Sequence, residues 1–276
     1  MLHITVIVDN TPNSDIPELE SEHGLSMLIE LDGKKILCDT GKSDLFAKNA
    51  EVLGIDLGDV DAAFMSHGHN DHTGGLRKFL ETNADAPVYA SSDIFGHRFF
   101  SSRHESKRDI SSDEDLKDEY RSRFVYVNEN RWISDNIAIV KTNCGRFDKP
   151  IGNLHLTSAT NGCETQDDFC HELALVFKTE KGLVIVSSCS HNGAMNIIKS
   201  CMDFTGEKRV CAFVGGLHFV DCNKTEREVA TFNSDTSAET PDTVFYTGHC
   251  TSDKAKDFLK QNKNVKFFRT GRIIEI

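Results

Sequence analysis

"FMSHGHNDHTGGL", residues 64–76, runs from an apolar approach into three histidines and an aspartate within six positions, His67, His69, Asp71 and His72, and then into Gly74-Gly75. Crowding so many polar side chains into one tight loop costs solvation unless a partner restores it. Neutral imidazole is the commonest protein metal ligand. In the H-x-H-x-D-H spacing, His67 and His69 can share one cation, and Asp71 and His72, one step further round, can face a second. Nitrogen and oxygen donors of this kind suit zinc, iron, manganese or nickel, and ligand type alone does not choose among them.

Outward from this loop, "DAAFMS" (61–66) reads as a short strand and residues 73–81 as a helix with Leu76, Phe79 and Leu80 inward. The loop therefore joins the C-terminal end of a strand to the start of a helix, where open α/β sheets place their ligands. Upstream, "LHITVIV" is a strand, and "LSMLIELDGKKILCDTG" (25–41) is a hairpin turning at Asp32-Gly33. Residues 43–53 form a helix with Ser43 as its cap. Downstream, "APVYAS", "RFVYVN", "IAIVKT" and "NLHLTSA" are strands. A second hairpin, "ELALVFKTEKGLVIVSS" (172–188), turns at Glu180-Lys181-Gly182. Helices follow at 193–204, capped by Asn192, near 224–234, and around Ala255, Phe258 and Leu259. The stretch from about 93 to 135 is polar and weakly periodic. It reads as an insertion in one domain spanning 1–276, either a lid or a solvated excursion.

Three later segments share the first loop's grammar, an apolar strand followed by a short turn and a histidine: "LVIVSSCSH" with His191, "RVCAFVGGLH" with His218 and "TVFYTGH" with His249. Strands lying side by side would gather these groups at one edge. The candidate metal ligands are thus His67, His69, Asp71, His72, His191 and His249. Asp71 is also the candidate to orient a nucleophile or take its proton, and His218 to stabilise developing negative charge. Asp39, ending "KKILCD", is either a support for a ligand histidine or a turn former. His23 and His171 are weaker pocket candidates. His3, His155, His97 and His104 read as structural or solvated. Lys42, Arg98, Arg103 and Arg146 lie in loops that could offer an anion contact.

Composition narrows the partners. The chain has 276 residues, 38% hydrophobic, with a formal net charge of -12. That charge repels a phosphate backbone or an anionic membrane surface, so nucleic acid and membrane are not expected partners, and a small molecule is. No stretch reads as a signal peptide or a membrane span. Nine cysteines, an odd number with no C-x-x-C pair, sit partly in apolar runs, as Cys38, Cys189 and Cys211 do. They read as small buried hydrophobes in a reducing, cytoplasmic setting. Oligomeric state is left open.

The motifs "EHGLSMLIE", "CDTG", "SHGHNDHTGGL", "SCSHNGAMNII", "VGGLHF" and "GHCT", in this order, resemble the metallo-β-lactamase superfamily. More narrowly they resemble its branch of dihydropterin-methyl ribofuranosylaminobenzene-phosphate synthase-like proteins. The resemblance implies an α/β fold, a four-layer αββα sandwich with one or two divalent metal ions, zinc first, at one edge between two sheets. Most of the superfamily has an aspartate bridging the metals. Here "VIVSSCSH" stands in that place, so His191 occurs where a carboxylate is expected, and an upstream histidine ligand is replaced by Glu172 or lost. Three functions follow as expectations: a metal-dependent hydrolase using metal-activated water on a small substrate, phosphorylated or not; a transferase joining a dihydropterin methyl diphosphate to an aromatic amine with release of pyrophosphate; and a non-catalytic metal- or ligand-binding module.

Overall fold

Asp32 and Gly33 both take positive φ, 52° and 78°, as the two central residues of a tight hairpin turn require. They join β2 (Ser26–Leu31) to β3 (Lys34–Cys38) in the register Met27 to Cys38 through Leu31 to Lys34. The computed structural model describes residues 1–103, 106–142 and 145–276; His104 lies outside them. Its backbone divides into two units. The first comprises Met1–Val127, Leu156–Asp167 and Phe268–Ile276, and the second Asn128–His155 and Asp168–Phe267.

In the first unit the hairpin sits in a seven-stranded sheet. On one side of it lie β1 (His3–Val8) and β18 (Ile273–Glu275), both antiparallel. On the other run β4 (Ala62–Phe64), β5 (Val88–Ala90) and β8 (Phe124–Tyr126), parallel to β3. The helices α1 (Leu45–Val52), α2 (Asn70–Thr73), α3 (Leu76–Thr82) and α4 (Leu116–Glu119) belong to this unit. Phe46, Leu76, Phe79 and Leu116 from the helices form one buried cluster with Leu28, Leu37, Ala63 and Val88 from the sheet. Each such large side chain contributes roughly 1.5–3 kcal/mol by leaving water. The N-cap position of α1 is Asp44 rather than Ser43, because the helix starts two residues later than expected; Ser43 Oγ accepts the Leu45 N–H at 3.2 Å from outside it. The helix expected over 73–81 is two helices, with Asp71 and His72 inside the short first one.

The 93–135 region is not a loose excursion. β6 (Arg98–Ser101) and β7 (Arg108–Asp109) pair with each other, and β6 also pairs with β11 (Leu156–Thr160) of the β11–β12 (Cys163–Gln166) hairpin, making a four-stranded sheet. Phe99 is buried in it. "NLHLTSA" is only partly a strand, because His155 ends a 3-10 turn (Ile151–His155) and β11 begins at Leu156.

The second unit repeats the same plan. β13 (Leu173–Thr179) and β14 (Gly182–Val186) form a hairpin. β10 (Ile137–Lys141) and β9 (Arg131–Trp132) extend it antiparallel on one side. β15 (Val210–Val214), β16 (Val244–Thr247) and β17 (Val265–Phe267) extend it parallel on the other. The helices α5 (Ala194–Thr205), α6 (Thr225–Glu239) and α7 (Asp253–Leu259) supply Ile197, Ile198, Val229, Phe232 and Leu259 to its core. Each unit thus contains a sheet layer and a helix layer. Among the described residues, no helix is long and apolar enough to cross a membrane.

Candidate metal centre

In the first unit, β3 and β4 are parallel neighbours, so their C-terminal ends deliver Asp39 and the histidine loop to one edge. Asp39 is fully buried at φ 59°. Its Oδ1 accepts the Ser66 N–H at 2.8 Å, and its Oδ2 accepts the Ser66 hydroxyl at 2.7 Å. Oδ2 also accepts His72 Nδ1 at 2.8 Å. The Ser66 proton is therefore committed to Asp39, and Ser66 Oγ, 2.8 Å from His67 Nδ1, serves that ring as acceptor. Both histidines carry their proton on Nδ1 and their lone pair on Nε2. This is how a carboxylate or hydroxyl behind a ligand histidine fixes its tautomer. Asp39 is a support for the loop rather than a plain turn former.

The three rings are packed together and buried. The His67 ring centroid lies 4.6 Å from that of His69 and 4.3 Å from that of His72. Asp71 Oδ2 is 3.7 Å from His72 Nε2 and 3.4 Å from His23 Nε2. Asp167, buried at the end of the β11–β12 hairpin, brings Oδ2 to 3.8 Å from His69 Nε2. No local pattern marks Asp167 in the sequence; a hairpin pairing about a hundred residues from the loop places it.

The Gly-Gly pair is explained by close approach. A Cβ on Gly74 would sit 2.1 Å from the Lys42 carbonyl oxygen, and one on Gly75 would sit 2.5 Å from the Thr40 oxygen. From the other side, the Asn70 N–H donates to the Ile110 carbonyl at 2.8 Å, Ser112 Oγ to the Gly68 carbonyl at 3.1 Å, and the Phe99 ring packs edge-on to His69 at 5.5 Å. The polar insertion is the brace of the histidine loop.

The three later histidines share one edge of the second unit's sheet, since β14, β15 and β16 are adjacent and parallel. The first loop is carried by the other sheet, so the four groups do not follow four strands of a single sheet. All three are buried, and His218 and His249 take φ of 54° and 43°, as does Ser190 beside His191 at 62°. Non-glycine residues held in the left-handed region concentrate at functional loops. The His191 ring stacks on Phe169 at 4.4 Å and packs against His218 at 4.1 Å. Asn153 clamps His191: its Nδ2 donates to the His191 carbonyl at 2.7 Å, and its Oδ1 lies 3.1 Å from Nδ1, which again leaves the lone pair on Nε2.

Glu172 is not placed as a replacement ligand. Its carboxylate accepts the backbone N–H of His191 at 2.6 Å and of Asn192 at 2.8 Å, and the Asn192 Nδ2 at 2.9 Å. Burial pushes its carboxyl above the usual range, and these donors oppose the shift. Asn192 is correspondingly not the cap of α5; Gly193, at φ 88°, precedes that helix. His171 is buried in the second unit. Among the anion candidates, Arg98 is paired with Asp109, and Lys42 and Arg146 are exposed. His3 pairs with Glu275 on the surface, and His97 bonds Thr160 Oγ1 at 2.8 Å.

The donor set fits a divalent transition metal: clustered buried imidazoles, their tautomers set by acceptors behind Nδ1, with carboxylates alongside. Comparison with known proteins gives the same direction. Residues 21–134 match the family model of the metallo-β-lactamase superfamily. The chain is 31% identical over 270 residues to the 7,8-dihydropterin-6-methyl-4-(β-D-ribofuranosyl)-aminobenzene-5′-phosphate synthase of Methanocaldococcus jannaschii, covering 92% of this chain and 90% of that one. An uncharacterized protein of the same organism is 26% identical, with 99% and 100% covered. Among solved structures, Tm1679, a metal-dependent hydrolase of the β-lactamase superfamily, superposes with a TM-score of 0.80 at 29% identity, over 100% of this chain and 99% of the other.

Proposed function

Because the chain belongs to the metallo-β-lactamase superfamily and has its α/β fold, we propose that it is a metal-dependent hydrolase of a small-molecule substrate, working in the cytoplasm. The observation that carries this reading is the Asp39–Ser66–His67 and Asp39–His72 hydrogen-bond chain, which pre-sets two buried imidazoles as ligands. Within the first unit the proposed ligands are His67, His69, Asp71 and His72; within the second, His191 and His249 are the proposed ligands. Zinc is the first candidate, before iron, manganese or nickel. Bound there, such an ion supplies a Lewis acid and a water acidic enough to ionise near neutral pH. The protein's own part is positioning and proton transfer. Asp71, slightly exposed beside the buried His69 and His72, orients the attacking water and accepts its proton. Asp39, Ser66 and Asn153 hold rings against rotation, and Phe99 and Phe169 exclude water from their faces.

The test is elemental analysis of protein purified without chelator, followed by the loaded protein against phosphate monoesters, phosphodiesters, lactones and β-lactams. Turnover of at least one class, lost in Asp71→Ala, is expected. A metal-loaded chain inert to the whole panel counts against the reading. The synthase similarity supports a second reading, the transferase. Pyrophosphate released only when a dihydropterin methyl diphosphate and an aromatic amine are both present would select it.

A further inference from the structure

We propose that Cys189, His218 and Cys250 form a sulfur-containing binding set for a thiophilic divalent cation of the zinc class, inside the second unit. Their Sγ, ring nitrogen and Sγ atoms lie within 4.8 Å of one another; Cys189 and His218 are buried and Cys250 is half-buried. The fold delivers them deliberately. Cys189 follows the end of β14, His218 the end of β15 and Cys250 the end of β16, three adjacent parallel strands opening at one edge.

The loops are shaped around the sulfurs. A Cβ on Gly216 would meet Cys250 Sγ at 2.4 Å, so glycine there is what gives the sulfur its seat. The His218 backbone N–H donates to Cys250 Sγ at 3.2 Å, a bond that strengthens when the sulfur carries charge. The Cys250 thiol in turn donates to the Cys189 carbonyl at 3.5 Å. The Leu217 N–H donates to Thr251 Oγ1 at 3.0 Å, and Thr251 pairs with Thr247 Oγ1 at 2.7 Å, pinning the His218 loop to the Cys250 loop. Cys201 shows the contrasting use of a cysteine: it lies in α5 within the apolar cluster, where burial pushes its thiol up.

Binding replaces two thiol protons with one cation. Each sulfur gives its proton to solvent, the imidazole binds neutral, and no electron is transferred. Soft thiolates favour zinc-class ions over magnesium, calcium or manganese. His218 then serves as a ligand rather than as the charge-stabilising donor its position in the sequence suggests.

The full chain, stripped with chelator and reloaded with Co(II), tests this. A sulfur-to-cobalt charge-transfer band in the near ultraviolet is expected. Cys189→Ser and Cys250→Ser should each remove the part of the band that its sulfur supplies, while Cys201→Ser retains it. A loaded protein without the band, or a band unchanged in the serine variant at either Cys189 or Cys250, overturns the proposal. A second measurement needs no variant: zinc should slow iodoacetamide alkylation of Cys189 and Cys250, mapped by mass spectrometry, and leave the exposed Cys163 unaffected. Equal rates with and without zinc overturn it as well. The readouts separate the two proposals. A band without hydrolysis refutes only the hydrolase, and hydrolysis without a band refutes only the thiolate set.

Discussion

Replacing Asp39 by asparagine isolates the support beneath the histidine loop. Asparagine tolerates the φ of 59° that this position requires, and its Oδ1 can still accept the Ser66 N–H. Its Nδ2 cannot accept from the Ser66 hydroxyl or from His72 Nδ1, the bonds of 2.7 and 2.8 Å in the native chain. His72 then satisfies the new donor by moving its own proton to Nε2, which removes that nitrogen as a ligand. Hydrogen bonds to a charged group are worth about 1.5–3 kcal/mol. Changes to the groups that orient metal ligands typically cost 10–100-fold in metal affinity, or about 1.4–2.8 kcal/mol. Competition of Asp39→Asn against a chromogenic chelator should show a loss in that range, with far-ultraviolet circular dichroism and urea unfolding of the metal-free protein as controls for the fold. Native affinity in a folded Asp39→Asn chain would refute the tautomer argument. Alanine is the poorer probe, because the left-handed backbone alone costs it about 1–2 kcal/mol.

Gly74→Ala should destabilise the metal-free protein by about 1–3 kcal/mol in urea unfolding, since its Cβ would press on the Lys42 carbonyl; an unchanged midpoint would show that the loop can yield. Zinc at 100 times its dissociation constant should stabilise the fold by about 2.7 kcal/mol and raise Tm by roughly 5–10 °C, with EDTA reversing it; a Tm blind to both would argue against a native metal site. Burial holds the Glu228 carboxyl above its ordinary value of 4.5, against the lowering pull of the Ile151 N–H. The folded state therefore binds that proton more tightly than the unfolded one. Its contribution to stability is full below the ordinary value and is lost as pH rises through the raised one. Glu228→Gln should remove this part of the pH dependence in denaturant melts from about pH 4 to 7; an identical slope in both proteins would refute it.

The histidine loop was readable because all its donors lie within six residues, and such spacing is local information. The same holds for the Asp32-Gly33 turn, whose positive φ pair is dictated by residue type. Asn192 misled because a good capping residue was claimed by a buried carboxylate twenty residues away, Glu172, and Gly193 precedes the helix instead. The insertion near 93–135 looked solvated because its apolar residues are few and irregularly spaced, yet Phe99 and Leu116 are buried and its backbone bonds the Asn70 N–H.

Local chemistry in the sequence was thus enough to determine an α/β chain, its hairpins, the strand-turn-histidine grammar and a candidate metal loop. Tertiary structure decided which residues stand behind and beside that chemistry. Asp167 reaches His69, Asn153 holds His191, and Cys189, His218 and Cys250 converge. These groups are 29 to 98 residues apart in sequence. Their proximity is set by which strands are neighbours and in what register they pair, and that depends on the packing of both units' cores rather than on any residue's immediate neighbours.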